Sequence, residues 1–312
     1  MKVALLCNID NSAEIEQLQG YNQVYGFFLR RELDRIGIDC ELVRYPGVEK
    51  GDFIVNFKHG NPDCVIAISA GAIIGLRENP LLVEDLEGLG VQVYYLTDAI
   101  TRSIVPWDHA KEAGAYVGMG VDPLLCRPNQ DATPTVLFNA WNKTVDNGEW
   151  GDLNLVEARS ALQKAMKRGV RVLALNCKVD GAENIGRDVY DSDKLGYVKW
   201  LEVVSAYSRG WVFLDTTPKI IELGRVEAAA CGASLLVPRS GSDWDRNNPI
   251  EGLQYLNQTY WSKGRLYEQL MTLCDAKTFS PLASACPVVR YFSWASVARR
   301  VVDFLEAQCL GN

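Results

Sequence analysis

Short apolar runs alternate with stretches of helical period along the whole chain. "KVALLC" (Lys2–Cys7), "CELVRY" (Cys40–Tyr45), "DCVIAIS" (Asp63–Ser69) and "VQVYYLTD" (Val91–Asp98) are continuous apolar runs bounded by turn residues. That pattern predicts strands covered on both faces. "YNQVYGFFLRRELDRIG" (Tyr21–Gly37) has the spacing of an amphipathic helix and stops at a glycine. The alternation restarts with "TVLFNA" (Thr135–Ala140) as a strand, "NLVEARSALQKAMKRG" (Asn154–Gly169) as a helix and "VRVLALN" (Val170–Asn176) as a strand. "GWVFLD" (Gly210–Asp215) and "SLLV" are further strands, and "FSWASVARRVVDFLEAQCL" (Phe292–Leu310) is a strongly amphipathic last helix.

Between the two series lies "GMGVDPLLCRPNQDATP" (Gly118–Pro134), rich in Gly, Pro and Asp and without period, the expected linker. Strand–helix alternation on both sides predicts an α/β protein of two doubly wound domains. The expected boundaries are 1–130, 131–290 and a terminal helix over 291–312. Ligands of such sheets bind beyond the carboxyl ends of the strands, so a cleft between the halves is the expected site.

Composition narrows the class. With 312 residues, 48% hydrophobic and 23% charged, the chain is expected to be a soluble globular protein of two domains. No run of about 18 apolar residues occurs, so no membrane span is expected. The opening "MKVALLCNID" is too short an apolar stretch for a signal peptide and reads as a strand. Nine cysteines show no CxxC pair and no metal-ligand spacing with the two histidines, which fits a cytoplasmic protein whose cysteines act as small core hydrophobes. The net charge of −7 is uneven: residues 1–130 carry 11 Lys+Arg against 18 Asp+Glu, and residues 131–312 carry 21 of each. A sequence-independent nucleic-acid binder is normally basic, so the acidic first half stands against a DNA partner.

"ELGRVEAAACGASLLVP" (Glu222–Pro238) holds the main candidate chemistry. Packing alone explains much of it: carboxylates near a helix start answer the dipole, three alanines allow close helix–sheet contact, and Gly232 ends the helix. The second reading is a nucleotide-diphosphate site. A helix N-terminus beside Gly224 offers N–H groups to phosphate, and Glu227 accepts hydrogen bonds from two ribose hydroxyls. The residues alone leave both readings open.

"GRVEAAACGASLLV" resembles the donor-binding segment of GT-B-fold glycosyltransferases, where a glutamate opens a small-residue helix that ends in Cys-Gly or Ala-Gly before an apolar strand. "GMGVDPLLCRP" resembles the interdomain segment of that fold, and "YFSWASVARRVVDFLEA" its terminal helix, which crosses back to the first domain. The three motifs span residues 118–307 in the family's order. The resemblance implies two Rossmann-like domains facing a cleft, with the nucleotide of a nucleotide sugar held by the second. The family's retaining members carry two glutamates eight positions apart, but Lys219 stands eight before Glu227 and the nearest upstream glutamate is Glu222, five before. That spacing is similar to the phage DNA α-glucosyltransferases. "VQVYYLTDAI" resembles the phage DNA β-glucosyltransferases, whose Tyr-Tyr strand leads into a general-base aspartate, the role that falls on Asp98. A glutamate of that family's first helix falls on Asn22, which takes its acceptor-binding place.

The resemblance therefore implies a hexosyltransferase that uses a UDP-sugar, with glucose expected, and 5-hydroxymethylated pyrimidine in double-stranded DNA as acceptor. The setting is then the cytoplasm, of a phage's host if the chain is viral. Its donor residues are Glu227, Glu222, Gly224, Arg225 and Lys143; Lys143 lies where relatives put a diphosphate-binding cation. Arg102 and Trp107, close to Asp98, pair a cation with an aromatic ring as base flipping would use them. The competing reading is a retaining transferase acting on a glycan, a lipid-linked sugar or a small molecule, and a third is a non-catalytic nucleotide-sugar binder. His59, His109 and Arg239 are lesser candidates. Neither GxGxxG nor GxxxxGK[ST] occurs, and "DSD" at Asp191–Asp193 reads as a helix cap. No metal and no cofactor is expected to be required.

Overall fold

The computed structural model describes residues 1–7, 9–18, 21–44, 57, 60–68, 70–97, 115–139, 151–175, 179–185, 199–216, 223–238, 253–275 and 281–310. They divide into two compact units, Met1–Gly120 with Trp294–Asn312, and Val121–Ser293.

The first unit contains β1 (Lys2–Cys7), α1 (Tyr21–Arg35), β2 (Asp39–Arg44), β3 (Cys64–Ala67), α2 (Ala70–Arg77), α3 (Pro80–Gly88), β4 (Gln92–Thr97) and β5 (Ala115–Tyr116). The strands form one sheet in the order β2-β1-β3-β4-β5, and every pairing is parallel. Because successive side chains alternate between faces, each strand needs apolar residues on both sides. Ala4, Leu6, Val43, Val65 and Ala67 face a core completed by Ile73 and Leu76 of α2 and Leu86 of α3. The opposite face takes α1, where the close approach of the helix at Gly26 would put an added Cβ 3.1 Å from Cys7.

The last helix, α9 (Trp294–Leu310), completes this unit. Trp294 meets Tyr25 edge-on at 4.9 Å and stacks on Phe28 at 5.9 Å with 8° between the rings. Gly120 lies against the indole so closely that no side chain fits there. Arg300 Nε donates to the Val117 carbonyl at 2.7 Å, and the Tyr25 hydroxyl donates to that of Gly118 at 2.7 Å.

The second unit holds β6 (Thr135–Asn139), α4 (Gly151–Met166), β7 (Arg171–Leu175), β8 (Glu183–Ile185), α5 (Trp200–Arg209), β9 (Val212–Asp215), α6 (Leu223–Ala230), β10 (Ser234–Pro238), β11 (Gln258–Trp261), α7 (Leu266–Leu273) and α8 (Pro281–Phe292). Its sheet is also parallel throughout, in the order β11-β10-β9-β6-β7-β8. Val136, Phe138, Val172, Val212, Leu214 and Leu236 face the helices α4 and α7, which contribute Leu162, Leu266 and Leu270. On the other face Tyr207 of α5 meets Phe213 edge-on at 5.7 Å.

The expected strands and the first helix appear with ends shifted by one or two residues. The expected terminal helix appears as α9, starting two residues late at Trp294, because an unanticipated helix, α8, ends at Phe292 just before it. A competing partner separates the two: Val121 N–H takes the Phe292 carbonyl at 2.7 Å, and Val121 bridges to Ser293. Among the described residues the cysteines depart from the expectation at one position. Cys7, Cys40, Cys64, Cys126, Cys231 and Cys274 are buried and free, whereas Cys286 is exposed.

Candidate functional site

Each strand order reverses direction once. In the first unit the chain moves outward on either side of β1 and β3, and in the second on either side of β6 and β9. Such reversals leave a crevice beyond the carboxyl ends of the two central strands, where two loops turn to opposite faces and a ligand fits. In the second unit the strand ends are Asn139 and Asp215, which are paired in register. Asp215 and the following Thr216 are both buried.

Helix α6 returns from this end of β9. Its sequence "LGRVEAAA" is buried at every position but Gly224, which is half-buried. Alanine at 228, 229 and 230 lets the helix lie close on the sheet, with good helix propensity and no side-chain entropy to lose. The turn after it needs Gly232, whose φ is +90°; a Cβ there would stand 2.7 Å from that of Pro281. Arg225 Nε donates to Asp215 Oδ2 at 2.6 Å, with both side chains 2% exposed. A buried pair of this kind fixes α6 to the end of β9, and breaking such a pair generally costs about 3–5 kcal/mol.

Glu227 lies two residues further along the same helix and is 3% exposed. The indole N–H of Trp200, the first residue of α5, donates to its Oε1 at 2.5 Å. Burial pushes the carboxyl from its ordinary 4.5 up to about 8, and the Trp200 bond pulls the other way. The group is thus protonated at neutral pH. Trp200 holds one oxygen, and among the described residues no donor reaches Oε2. Cys126 and Cys231 close this region: the Cys126 thiol is raised by its hydrogen bond with Cys231, then by burial, then by Glu227 and Asp122. The first turn of α6, Leu223 to Arg225, contributes backbone N–H groups that have no acceptor within the helix. A hydrogen-bonding carboxyl and a helix N-terminus therefore stand on one rigid element, suited to a diol and an anion of the same ligand.

Of the sequence-derived candidates, the structure brings together Gly224, Arg225 and Glu227. Asn22 lies in the first turn of α1 by its backbone. Asp98 follows the last residue of β4 and Glu222 precedes the first residue of α6; both lie outside the described residues, as do Arg102, Trp107, Lys143, His59, His109, Arg239 and Asp191–Asp193. Trp200 and Asp215 are participants that the sequence did not announce. Asp215 had a faint signal, an acid closing a buried strand in "WVFLD". Among the described residues no group of three or more His, Cys, Asp or Glu could hold a metal ion, and no helix is long and apolar enough to cross a membrane.

No known family profile and no curated protein sequence matches this chain. Solved structures do. A sucrose-phosphate synthase from Thermosynechococcus elongatus superposes with a TM-score of 0.59 at 12% identity, over 100% of this chain and 100% of that one. AviGT4, a glycosyltransferase involved in avilamycin A biosynthesis, gives 0.59 at 14% identity over 100% and 98%. Anabaena HepE in complex with UDP-glucose gives 0.53 at 10% identity over 98% and 100%. The chain has the GT-B fold, built from two parallel doubly wound domains.

Proposed function

We propose that this protein is a glycosyltransferase that moves glucose from UDP-glucose to the hydroxyl of a 5-hydroxymethylated pyrimidine in DNA. The observation that carries the donor half is Glu227, buried on a small-residue helix at the strand reversal of the second unit. Its protonated Oε2 donates to one ribose hydroxyl and accepts from the other while Trp200 holds Oε1. The N–H groups at Leu223 and Gly224 meet the diphosphate, and Lys143 supplies the opposing charge. Glu222, just ahead of α6, adds a second carboxylate to the ribose. Arg225 acts by positioning, through Asp215. UDP-glucose is also what one structure of this fold is named as binding.

The acceptor half rests on Asp98, one residue beyond the end of β4. Its carboxylate takes the acceptor proton as the oxygen bonds to the anomeric carbon, and the bond to UDP breaks with its electron pair leaving on the phosphate. Asn22, Arg102 and Trp107 hold the extruded base. The reaction belongs in the cytoplasm and needs no cofactor. A second reading, a transferase for a small-molecule or glycan acceptor, is favoured by the net charge of −7 and by the full-length likeness to a sucrose-phosphate synthase.

Incubation with UDP-glucose and hydroxymethylcytosine DNA, unmodified DNA or no acceptor separates the two. A mass gain of one hexose on the first DNA alone is expected. UDP release without a change in DNA mass would leave only the second reading. Asp98→Asn is expected to stop transfer while UDP-glucose binding stays intact; a fully active variant refutes the base assignment.

A further inference from the structure

The second unit carries a cavity that the donor site does not use. It has a volume of about 630 Å³ and is lined by Tyr255, Cys286, Pro287, Arg290 and Tyr291. Small-ligand sites commonly measure about 300–1,000 Å³, so the space suits a bound molecule. Neither Glu227 nor any other residue of α6 contributes to the lining named above.

The chemistry of the lining is specific. Tyr255 and Tyr291 have ring centroids 4.8 Å apart at 31°, so the rings overlap as one tilted stack whose outer face is a wall, with no gap between them for a flat ligand. A wall offers a single apolar face with polar hydroxyl edges, which fits the C–H face of a pyranose whose hydroxyls point outward. Two facing rings would be needed to clamp a flat base. Arg290 adds a planar fork of donors that matches a carboxylate or phosphate. All three groups sit on α8 or on the short turn Leu253–Tyr255, and Pro287 interrupts the hydrogen-bond ladder of α8 beside Cys286. We infer that this cavity is a second ligand site, for an anionic sugar whose ring lies on the tyrosine wall and whose carboxylate or phosphate meets Arg290. The inference does not depend on the donor reading.

Cys286 gives the test, because it lines the cavity and is the exposed cysteine among the described ones. Its alkylation by iodoacetamide is followed by peptide mass spectrometry on the whole protein. Glucose 6-phosphate and glucuronate are expected to slow the modification, and protection by only one of them identifies which anion the site prefers. Glucose and inorganic phosphate, each holding half of the recognition, are expected to protect weakly. Arg290→Gln should weaken protection about tenfold, the loss of one charge-assisted contact. Tyr255→Ala, at an exposed position, should do the same with an unchanged circular dichroism spectrum. Glu227→Gln should leave protection intact even if donor binding fails. No protection by either charged sugar, equal protection by inorganic phosphate, stronger protection by UMP, or full protection in Arg290→Gln protein would each overturn the assignment.

Discussion

At the scale of the residue, Glu227 sets a pH dependence. The folded chain keeps its proton up to about pH 8, whereas the unfolded chain releases it near 4.5. Between those values the folded state binds more protons, so stability falls as pH rises through the window. Below it the group contributes nothing, and above it the full cost of burying a charge applies, on the order of a few kcal/mol. Glu227→Gln is therefore expected to melt at a higher temperature than the parent at about pH 9 and at the same temperature at about pH 4.5. Thermal melts that run in parallel at both pH values would refute the buried proton. Trp200→Phe removes the one donor to this carboxyl among the described residues, so UDP-glucose should bind about tenfold more weakly and its pH profile should move upward. Calorimetric titration across pH reads both, and an unshifted profile would reduce Trp200 to packing. Glu227 could be singled out from the sequence because a carboxylate among small residues is conspicuous there. Trp200 could not: it stands 27 residues away, and only the packing of α5 beside α6 brings the indole to the acid.

Among the elements, α6 is held at both ends by features of different legibility. Its C-terminal turn was readable from Cys-Gly before an apolar run, because a left-handed position after a helix selects glycine. Gly232→Ala would force a Cβ into that conformation and against Pro281, a loss of at least about 1–2 kcal/mol, measurable by urea unfolding. An unchanged midpoint would mean the turn relaxes freely. Its N-terminal anchor, Arg225 on Asp215, was not readable, since "R" in a helix start looks equally like a ligand contact. Helix α8 was missed for a similar reason. Pro287 inside "PLASACPVVRYF" argues against a helix by local rules, yet the packing of Val288 and Phe292 into the core outweighs one lost hydrogen bond. Strands fared best, because a run apolar on both faces has few alternatives in a parallel sheet.

For the whole molecule, the fold class followed from alternation, but the acceptor cannot, because one fold hosts many acceptors. The charge of −7 bears on it directly: a DNA acceptor requires enough local cation to survive salt, so turnover on DNA should fall steeply with ionic strength, while a small neutral acceptor would be indifferent. Turnover unaffected by EDTA is expected, since Lys143 and the amides of α6 meet the diphosphate in the proposed scheme; abolition that added Mg²⁺ restores would replace them with a metal. One more consequence belongs to this scale and concerns biosynthesis. The first unit is made of two chain segments, and its core lacks the indole of Trp294 until the final segment is available, whereas the second unit is continuous from Val121 to Ser293. On a ribosome, the stretch translated second is thus the first able to finish folding. The stretch translated first must wait, with Tyr25 and Phe28 uncovered, for the last helix to leave the exit tunnel.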